Sequence, residues 1–336
     1  MPPTLEAAGR EPSGPPPQSP TFTGRPRAAP LQENKYFGFT GRRRAAPLQE
    51  NNYFGSKVGG IERYLLPHVP FSLNEAIWMQ LVACQIDIAW EDKPENQRRV
   101  RQLLENVDIE PGGLIVLPEM FDTGFSMNVA ATAQGPERES ECFLQELAAE
   151  HGAAVLGGVV TLQGDGRGAN EAVAFAPDGR LLVRYRKMQP FSMSGEDRHY
   201  PAGDAPALFQ WQGMTIAPFI CYDLRFPELF RSAVDLGAEL FTVIACWPAV
   251  RSEHWVRLLQ ARAIENLAFA LGCNRCGSEP DLSFDGRSAA FDHLGRNLFE
   301  ADAGPQVLTC HVDIDALRSW RDKFPALRDR RRNPSV

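Results

Sequence analysis

The sequence contains no apolar run of the roughly 18 to 20 residues that a membrane-spanning helix requires, and its N-terminus lacks the apolar core of a secretory signal. It also lacks strong compositional bias, because 43% hydrophobic and 23% charged residues are typical of globular proteins. A wholly disordered or fibrous chain is therefore excluded. We expect a cytoplasmic protein without a membrane partner, in which 336 residues form one α/β catalytic domain and an additional segment.

Basic charge is scarce in the main part of the chain. Residues 79–336 hold 26 Lys and Arg against 36 Asp and Glu, whereas residues 1–78 hold nine against six. An acidic body argues against a nucleic-acid partner, since such binding neutralises phosphates. The seven cysteines are an odd number without a pairing pattern, which favours free thiols. The histidines have no metal-ligand spacing, so we expect neither a metal nor another cofactor.

The first 78 residues differ in character from the rest. Residues 22–38 and 39–55 form a tandem repeat of 17 residues with 15 identities, and a segment rich in Pro, Gly and Ser precedes it. We predict a disordered leader over residues 1–78 and a catalytic domain over 79–336. The leader is interpreted as a spacer or translated upstream sequence; the alternative is a tail that binds a partner. Met79 opens the first strand-like segment, and we hypothesise that translation starts there.

From residue 80 onward, short apolar runs alternate with segments of helical period, which predicts a layered α/β domain. Ten strands are predicted: 81–88, 113–117, 153–162, 171–175, 181–185, 215–221, 240–246, 269–274, 289–292 and 307–312. Five helices are predicted: 94–107, 139–151, 227–236, 252–267 and 314–328. Ten strands exceed the usual single open sheet, so the helices would cover the outer faces of two stacked sheets.

Three predicted strands end in residues that carry chemistry. Glu119 follows the strand that Pro118 stops, Lys187 ends another strand, and Cys221 lies between a strand and a helix. A turn from strand to helix presents its side chain beside free backbone N–H groups, as acyl transfer requires. A thiol with an ordinary pKa of about 8.5 needs a base and a cation for activation. Glu119 and Lys187 can supply both, although each residue alone is more often structural.

The segments LPEMFDTGFSM, YRKM and ICYDLRFPELFR, in this order and spacing, resemble the carbon-nitrogen hydrolase (nitrilase) superfamily over residues 79–326. The resemblance implies an α-β-β-α sandwich of two stacked mixed sheets. It also implies a catalytic triad of Glu119, Lys187 and Cys221. The second glutamate of the family maps onto Glu196, where Asp197 is the other acidic residue with suitable spacing.

Further segments, CQIDIAWEDKPEN, CWPAVRSEHWVRLLQARAIEN and GCNRCG, resemble the omega-amidase branch of this superfamily. That branch implies hydrolysis of 2-oxoglutaramate or 2-oxosuccinamate to the 2-oxo dicarboxylate and ammonia through a cysteine thioester. It also implies a homodimer or higher homo-oligomer. Two departures leave the substrate preference open: Cys246 stands where the branch often has Asn, and residues 279–282 replace a loop richer in Gly and Asn.

In the implied mechanism, Lys187 and the backbone N–H of Tyr222 hold the oxyanion. A substrate carboxylate needs a cation, for which Arg225 and Arg251 are the nearest candidates in sequence. The favoured alternative for Arg225 is structural, namely pairing with Asp223 or Glu228 to fix the turn.

Aromatic residues at the strand ends are candidates for the pocket wall. We assign Phe125 and Trp247 to substrate binding, although aromatic residues at such positions more often belong to the core. In the helix at 252–267, Trp255, Leu258, Leu259 and Ile264 are predicted to form one packing stripe.

Three other functions stay open at this point. The first is an amidase or nitrilase of the superfamily that acts on another small amide or nitrile, such as deaminated glutathione. The second is a catalytically silent member that binds a metabolite. The third is a binding module in which residues 22–55 recruit a partner and the body is a scaffold.

Overall fold

The computed structural model describes residues 78–280 and 282–331. Apart from Trp78, the predicted leader, its tandem repeat and the segment before the hypothesised start at Met79 lie outside the described residues. None of the helices in the described part combines the length and apolar character needed to cross a membrane.

The strands are short and lie mostly where apolar runs predicted them. They are β1 (Trp78–Gln85), β2 (Leu114–Val116), β3 (Ala154–Leu162), β4 (Gly168–Phe175), β5 (Leu181–Arg186), β6 (Phe209–Trp211), β7 (Met214–Ile220), β8 (Leu240–Ala245), β9 (Phe269–Asn274), β10 (Cys276–Glu279), β11 (Leu282–Asp285), β12 (Ala289–Phe291), β13 (Asn297–Glu300) and β14 (Gln306–Asp313).

The helices begin and end at recognisable signals. They are α1 (Lys93–Leu104), α2 (Val129–Thr132), α3 (Glu139–His151), α4 (Glu196–His199), α5 (Pro227–Asp235), α6 (Ser252–Asn266) and α7 (Ile314–Lys323). Asp92 and Asp313 accept backbone N–H groups at the starts of α1 and α7, and Pro227 is the first residue of α5. Gly152 ends α3 in the left-handed conformation.

Two six-stranded sheets form the centre of the molecule. The first has the order β14-β1-β2-β3-β4-β5 and the second β13-β12-β9-β8-β7-β6, while β10 and β11 form a separate hairpin. Each large sheet is mixed, because β1, β2 and β3 are parallel and β7, β8 and β9 are parallel, while their outer neighbours are antiparallel. The active sites of such folds collect at the carboxyl ends of the parallel strands.

The alternation of residues along β1 separates two apolar layers. Leu81 and Ala83 belong to a core that also contains residues of β7, β8 and β9, whereas Val82 and Cys84 pack with residues of α1 and α3. On the second sheet, α5 and α6 contribute Phe230 and other apolar side chains to the cover of the outer face. The predicted α-β-β-α sandwich of two stacked mixed sheets is confirmed.

The sequence missed the elements with weak patterns. All ten predicted strands are present, but β6, β10, β11 and β13 have at most four residues and no sustained alternation. The predicted helix at 314–328 ends at Lys323, because Pro325 cannot continue it. Of the predicted α6 packing stripe, Trp255 and Leu259 are buried within the single chain, whereas Ile264 is half exposed there.

Candidate active site

Cys221 lies directly after β7 in a strained turn. Its φ is +46°, in the left-handed region that non-glycine residues rarely adopt. A 3₁₀ turn, Cys221–Arg225, follows and leads into α5. This is the predicted strand-turn-helix arrangement, and it presents the thiol beyond the end of the sheet. Tyr222 is at the first turn of the 3₁₀ helix, where backbone N–H groups have no carbonyl partner within the helix.

Glu119 reaches the same place from the other sheet. It follows β2 after Pro118, and Met120 beside it has a φ of +43°. The backbone here packs against Gly158 of β3, where an added Cβ would lie 2.5 Å from the Met120 nitrogen. Only glycine allows this approach. The Glu119 side chain is completely buried.

Lys187 is held between two buried carboxylates. Its Nζ donates to Glu119 Oε1 at 2.8 Å and to both oxygens of Glu196 at 2.9 Å. Glu196 also accepts the backbone N–H of Phe191 at 2.6 Å, which anchors the segment after Lys187. The structure thus brings Glu196, at the start of α4, against the predicted triad.

Asn170 was missed by the sequence interpretation. Its Nδ2 donates to Glu119 Oε1 at 2.8 Å and to Glu196 Oε1 at 3.0 Å, so it joins the two carboxylates. It lies in β4, which begins at Gly168, three residues before the predicted start of that strand. A polar residue within an otherwise apolar buried strand was the available signal.

The charges at the site determine the protonation state of Lys187. Burial opposes the charged form of Lys187, but the carboxylates of Glu119 and Glu196 outweigh burial and hold the pKa of the ammonium well above its usual range. Lys187 is therefore a fixed cation.

The surroundings of Cys221, the candidate nucleophile, favour the protonated thiol. Burial is the largest effect on Cys221 and raises the pKa of its thiol well above the ordinary value. The charge of Glu119 raises this pKa further, while Lys187 opposes the rise. Glu119 is also a hydrogen-bond partner of the thiol. The carboxylate is thus in place to take the thiol proton during attack.

Cys246, one of the two departures from the omega-amidase pattern, contacts Glu119 through its backbone. Its N–H donates to Glu119 Oε2 at 2.9 Å, and its thiol donates to the Glu119 carbonyl oxygen at 3.3 Å. The backbone contact is available to any residue except proline, so the departure leaves the anchoring of Glu119 intact.

A cavity of about 240 Å³ opens onto Cys221 and Lys187. Its walls are largely aromatic and apolar, with two arginines among them. The lining includes the side chains of Phe125, Phe191, Tyr222, Arg225, Trp247 and Arg251. The volume suits a small molecule rather than a polypeptide segment.

The favoured structural interpretation of Arg225 was wrong. Among the described residues, Arg225 forms no ion pair with a carboxylate; its guanidinium lies 4.8 Å from the centre of the Trp247 ring and 3.2 Å from His254 Nδ1. Asp223 instead accepts hydrogen bonds from Tyr185 and from backbone N–H groups. Arg225 is therefore available to the cavity, as the alternative interpretation required.

Arg251 has a similar position. Its guanidinium lies 5.3 Å from the centre of the Phe191 ring, and the described residues provide it with no carboxylate partner. Two guanidinium groups thus line one small cavity without a neutralising acid of their own. An anionic group of a ligand is the complementary partner.

The two aromatic residues assigned to substrate binding both line the cavity. Phe125 lies with its ring centre 5.1 Å from Lys187 Nζ. Trp247 is almost fully buried, and its indole N–H donates to the Arg251 carbonyl oxygen at 2.9 Å. Trp247 therefore belongs both to the core and to the pocket wall.

Glu279 adds an acidic group to the cavity wall. Its Oε2 accepts from Arg275 Nη1 at 2.8 Å, and Arg275 is completely buried. Burial raises the pKa of Glu279 to about 7, although Arg275 acts in the opposite direction. Of the second departure from the omega-amidase pattern, Glu279, Pro280 and Leu282 thus line the pocket.

Comparison with known proteins supports the resemblance found in the sequence. The family model described as Carbon-nitrogen hydrolase matches residues 81–322. The omega-amidase YafV of Yersinia enterocolitica is 39% identical over 253 residues, which cover 75% of this chain and 96% of that protein. The 2-oxoglutaramate amidase of Bacillus subtilis is 31% identical over 254 residues, which cover 75% of this chain and 98% of the relative.

A solved structure has the same fold. XC1258 from Xanthomonas campestris, a CN-hydrolase superfamily protein with an arsenic adduct in its active site, matches with a TM-score of 0.71 and 32% identity. The match covers 77% of this chain and 99% of XC1258. With a family model spanning most of the described residues and relatives that align over nearly their whole length, this chain belongs to the carbon-nitrogen hydrolase family and is a hydrolase of carbon–nitrogen bonds other than peptide bonds.

Proposed function

We propose that this protein is an omega-amidase that hydrolyses the terminal amide of small 2-oxo acid monoamides, such as 2-oxoglutaramate and 2-oxosuccinamate, to the 2-oxo dicarboxylate and ammonia. The observation that carries the proposal is the pair of guanidinium groups, Arg225 and Arg251, on the wall of the cavity that holds Cys221. The names of the relatives in Yersinia and Bacillus agree with it.

The first step is attack of the thiol on the amide. Glu119 takes the proton of Cys221 as the sulfur bonds to the amide carbon, because the resting thiol is protonated and the carboxylate is its neighbour. The tetrahedral oxyanion is stabilised by the Lys187 ammonium and by the backbone N–H of Tyr222. Both donors are fixed before the substrate arrives.

The second step releases ammonia. Glu119 returns its proton to the leaving nitrogen, the carbon–nitrogen bond breaks, and a thioester remains on Cys221. Water then enters, loses a proton to Glu119 and attacks the thioester. The 2-oxo dicarboxylate leaves as the thiol regains its proton. Glu196 and Asn170 hold Lys187 and Glu119 in place throughout.

Substrate selection follows from the cavity. A 2-oxo acid monoamide has an amide at one end and a carboxylate at the other, which matches a site with a thiol at one position and guanidinium groups at another. The volume of about 240 Å³ suits a five-carbon or four-carbon chain. Uncharged amides would leave both guanidinium groups without a partner.

The acidic chain is proposed to work in the cytoplasm as a homodimer or higher homo-oligomer, with neither nucleic acid nor membrane as partner. Another superfamily amidase or nitrilase activity, such as hydrolysis of deaminated glutathione, is the alternative enzymatic function. A catalytically silent member that only binds a metabolite is the remaining one.

The test measures ammonia release from 2-oxoglutaramate by the full chain, with Cys221→Ala as the inactive control and glutamine as a control amide. We expect release that requires Cys221 and a much lower rate with glutamine, whose 2-amino group carries a positive charge. Deaminated glutathione and a small nitrile belong in the same panel. Faster turnover of either would replace the omega-amidase proposal with the alternative.

Arginine variants test the source of specificity. Arg225→Ala and Arg251→Ala should each raise KM for 2-oxoglutaramate by about 10- to 150-fold, since a hydrogen bond to a charged group contributes roughly 1.5–3 kcal/mol. Turnover of pentanamide, which has no carboxylate, should be unchanged. Arg257→Ala is the matched control, because Arg257 is exposed on α6 and pairs with Glu253 instead. Equal effects of the three variants would contradict the assignment.

A further inference from the structure

A buried carboxylate connects the two large sheets beside the active site. Asp223 lies in the turn after β7 of the second sheet, and its Oδ2 accepts a hydrogen bond from the Tyr185 hydroxyl at 2.8 Å. Tyr185 belongs to β5 of the first sheet. Both side chains are almost completely buried. The Phe219 ring lies edge-on to Tyr185, with the ring centres 5.8 Å apart.

The same carboxylate accepts hydrogen bonds from both chain segments that carry the proposed reacting groups. Its Oδ2 also accepts the backbone N–H of Ile220 at 2.9 Å, immediately before Cys221. Its Oδ1 accepts the backbone N–H of Gln189 at 2.9 Å, two residues after Lys187. All three contacts use acceptor oxygens of the carboxylate, and they oppose the burial that raises the pKa of Asp223 to about 7.

This connection has a geometric role because the site is assembled from two sheets. Lys187 follows a strand of the first sheet and Cys221 a strand of the second. Apolar packing between sheets is non-directional and sets no unique offset, whereas a satisfied buried polar network does. The left-handed conformation of Cys221 also needs support, and the Ile220 hydrogen bond holds the turn at that point.

We propose that Asp223 is a positioning residue that fixes the offset between the Cys221 turn and the Lys187 strand end, and so places thiol and ammonium around one substrate carbonyl. It acts through Ile220, Gln189 and Tyr185 and does not contact substrate. The inference rests on the proposed amidase function only for its turnover assay, because alkylation of Cys221 needs no amide.

The test compares Asp223→Asn with the wild-type full chain. The amide keeps the size of the side chain but replaces one acceptor oxygen with a donor, so at least one of the three contacts is lost. We expect kcat to fall about 100-fold, as for a misplacement of about 1 Å, with KM changed by less than about threefold. Cys221 alkylation by iodoacetamide at pH 7, followed by mass spectrometry, should slow about tenfold as Lys187 moves away and the thiol pKa rises.

Two further variants separate positioning from general stability. Glu239→Gln removes a buried acid at the other end of β7, where Glu239 accepts the Thr215 N–H at 3.0 Å and pairs with Arg318 at 2.7 Å. It should lower the melting temperature and leave kcat unchanged. Tyr185→Phe removes one contact of Asp223 and should lower kcat roughly tenfold in a folded protein.

The outcomes decide the proposal in either direction. The proposal would be overturned if Asp223→Asn and Glu239→Gln had the same kcat and the same alkylation rate. It would also be overturned if Asp223→Asn changed only KM. If Asp223→Asn does not fold, Tyr185→Phe decides, and wild-type values of kcat and alkylation rate there would overturn the proposal. If the wild type hydrolyses no amide, the function fails, and the alkylation rates alone decide the role of Asp223.

Discussion

Replacement of Lys187 by methionine tests the central ion cluster of the site. Lys187 is the cation between Glu119 and Glu196, and all three side chains are buried. The three groups together carry one negative charge. Lys187→Met keeps most of the side-chain volume but leaves two buried carboxylates that share the donor of Asn170.

We expect Lys187→Met to lose both stability and turnover. Removing one partner of a buried ion pair costs about 3–5 kcal/mol, which corresponds to a lower melting temperature by roughly 6–20 °C for a domain of this size. Loss of one oxyanion donor lowers kcat by about 10²–10³-fold. Lys93→Met is the matched control, because Lys93 pairs with Glu139 at 2.9 Å where that acid is half exposed, and there we expect at most about 1 kcal/mol.

The pH dependence of unfolding identifies the cause. Two adjacent buried carboxylates favour binding of a proton in the folded variant, and the unfolded chain does not retain that proton above about pH 5. The folded state then binds more protons, so the stability of Lys187→Met rises as pH falls from 8 to 5, relative to the wild type. Adding Glu196→Gln should recover part of the stability at pH 8 without restoring kcat.

Thermal unfolding by circular dichroism at pH 5 and 8, together with ammonia release, gives both quantities. A Lys187→Met protein within about 1 kcal/mol of the wild type at pH 8 would refute the argument, because the two carboxylates would then not be unpaired charges in a buried site. A loss of stability that is the same at both pH values would refute the electrostatic cause.

Three further changes have defined outcomes. Gly158→Ala should lower kcat about 100-fold and also the melting temperature, because the new Cβ meets the Glu119 backbone at 2.6 Å; Gly164→Ala, with nothing within 4 Å, is the control. Asn170→Ala should lower kcat about tenfold at nearly constant KM, since both carboxylates lose a donor; wild-type kinetics would contradict this. Between pH 4.5 and about 7 the raised pKa of Glu279 makes the folded state bind a proton that the unfolded chain has lost, so wild-type stability falls as pH rises. Glu279→Gln should reduce that slope in urea titrations, while Asp122 and Asp223, whose pKa values burial raises to about 6 and about 7, keep their share of it; an unchanged slope would exclude Glu279 as a source.

The sequence was sufficient for the sandwich and for the residues at the strand ends. Apolar runs and helical periods located the long strands and the five longer helices, because burial imposes those periods directly. Glu119, Lys187 and Cys221 stand where strands end, and the turn signals Pro118 and Pro227 mark two of those ends. The family resemblance, rather than spacing, connected them.

The contacts across the cavity could not be obtained in the same way. Arg225 has acids two residues before it and three residues after it, so local pairing was the natural expectation. In the structure the Arg225 guanidinium lies over the ring of Trp247, a residue at the end of another strand. Asn170 joins two carboxylates that are 77 residues apart in the chain. Such long-range contacts depend on the offset between sheets, which no local period encodes.

The ion cluster fits the proposed role of Glu119 as base and then as acid. In the proposed attack, the proton of Cys221 moves to Glu119 while a negative charge forms on the substrate oxygen. The buried charge therefore moves from one oxygen to another and its total does not change. Lys187 donates to Glu119 and, in the proposed step, also stabilises the substrate oxyanion, while its raised pKa keeps it protonated. Because the donors are already oriented, this transfer of charge requires little reorganisation, which is the condition for electrostatic catalysis in a buried site.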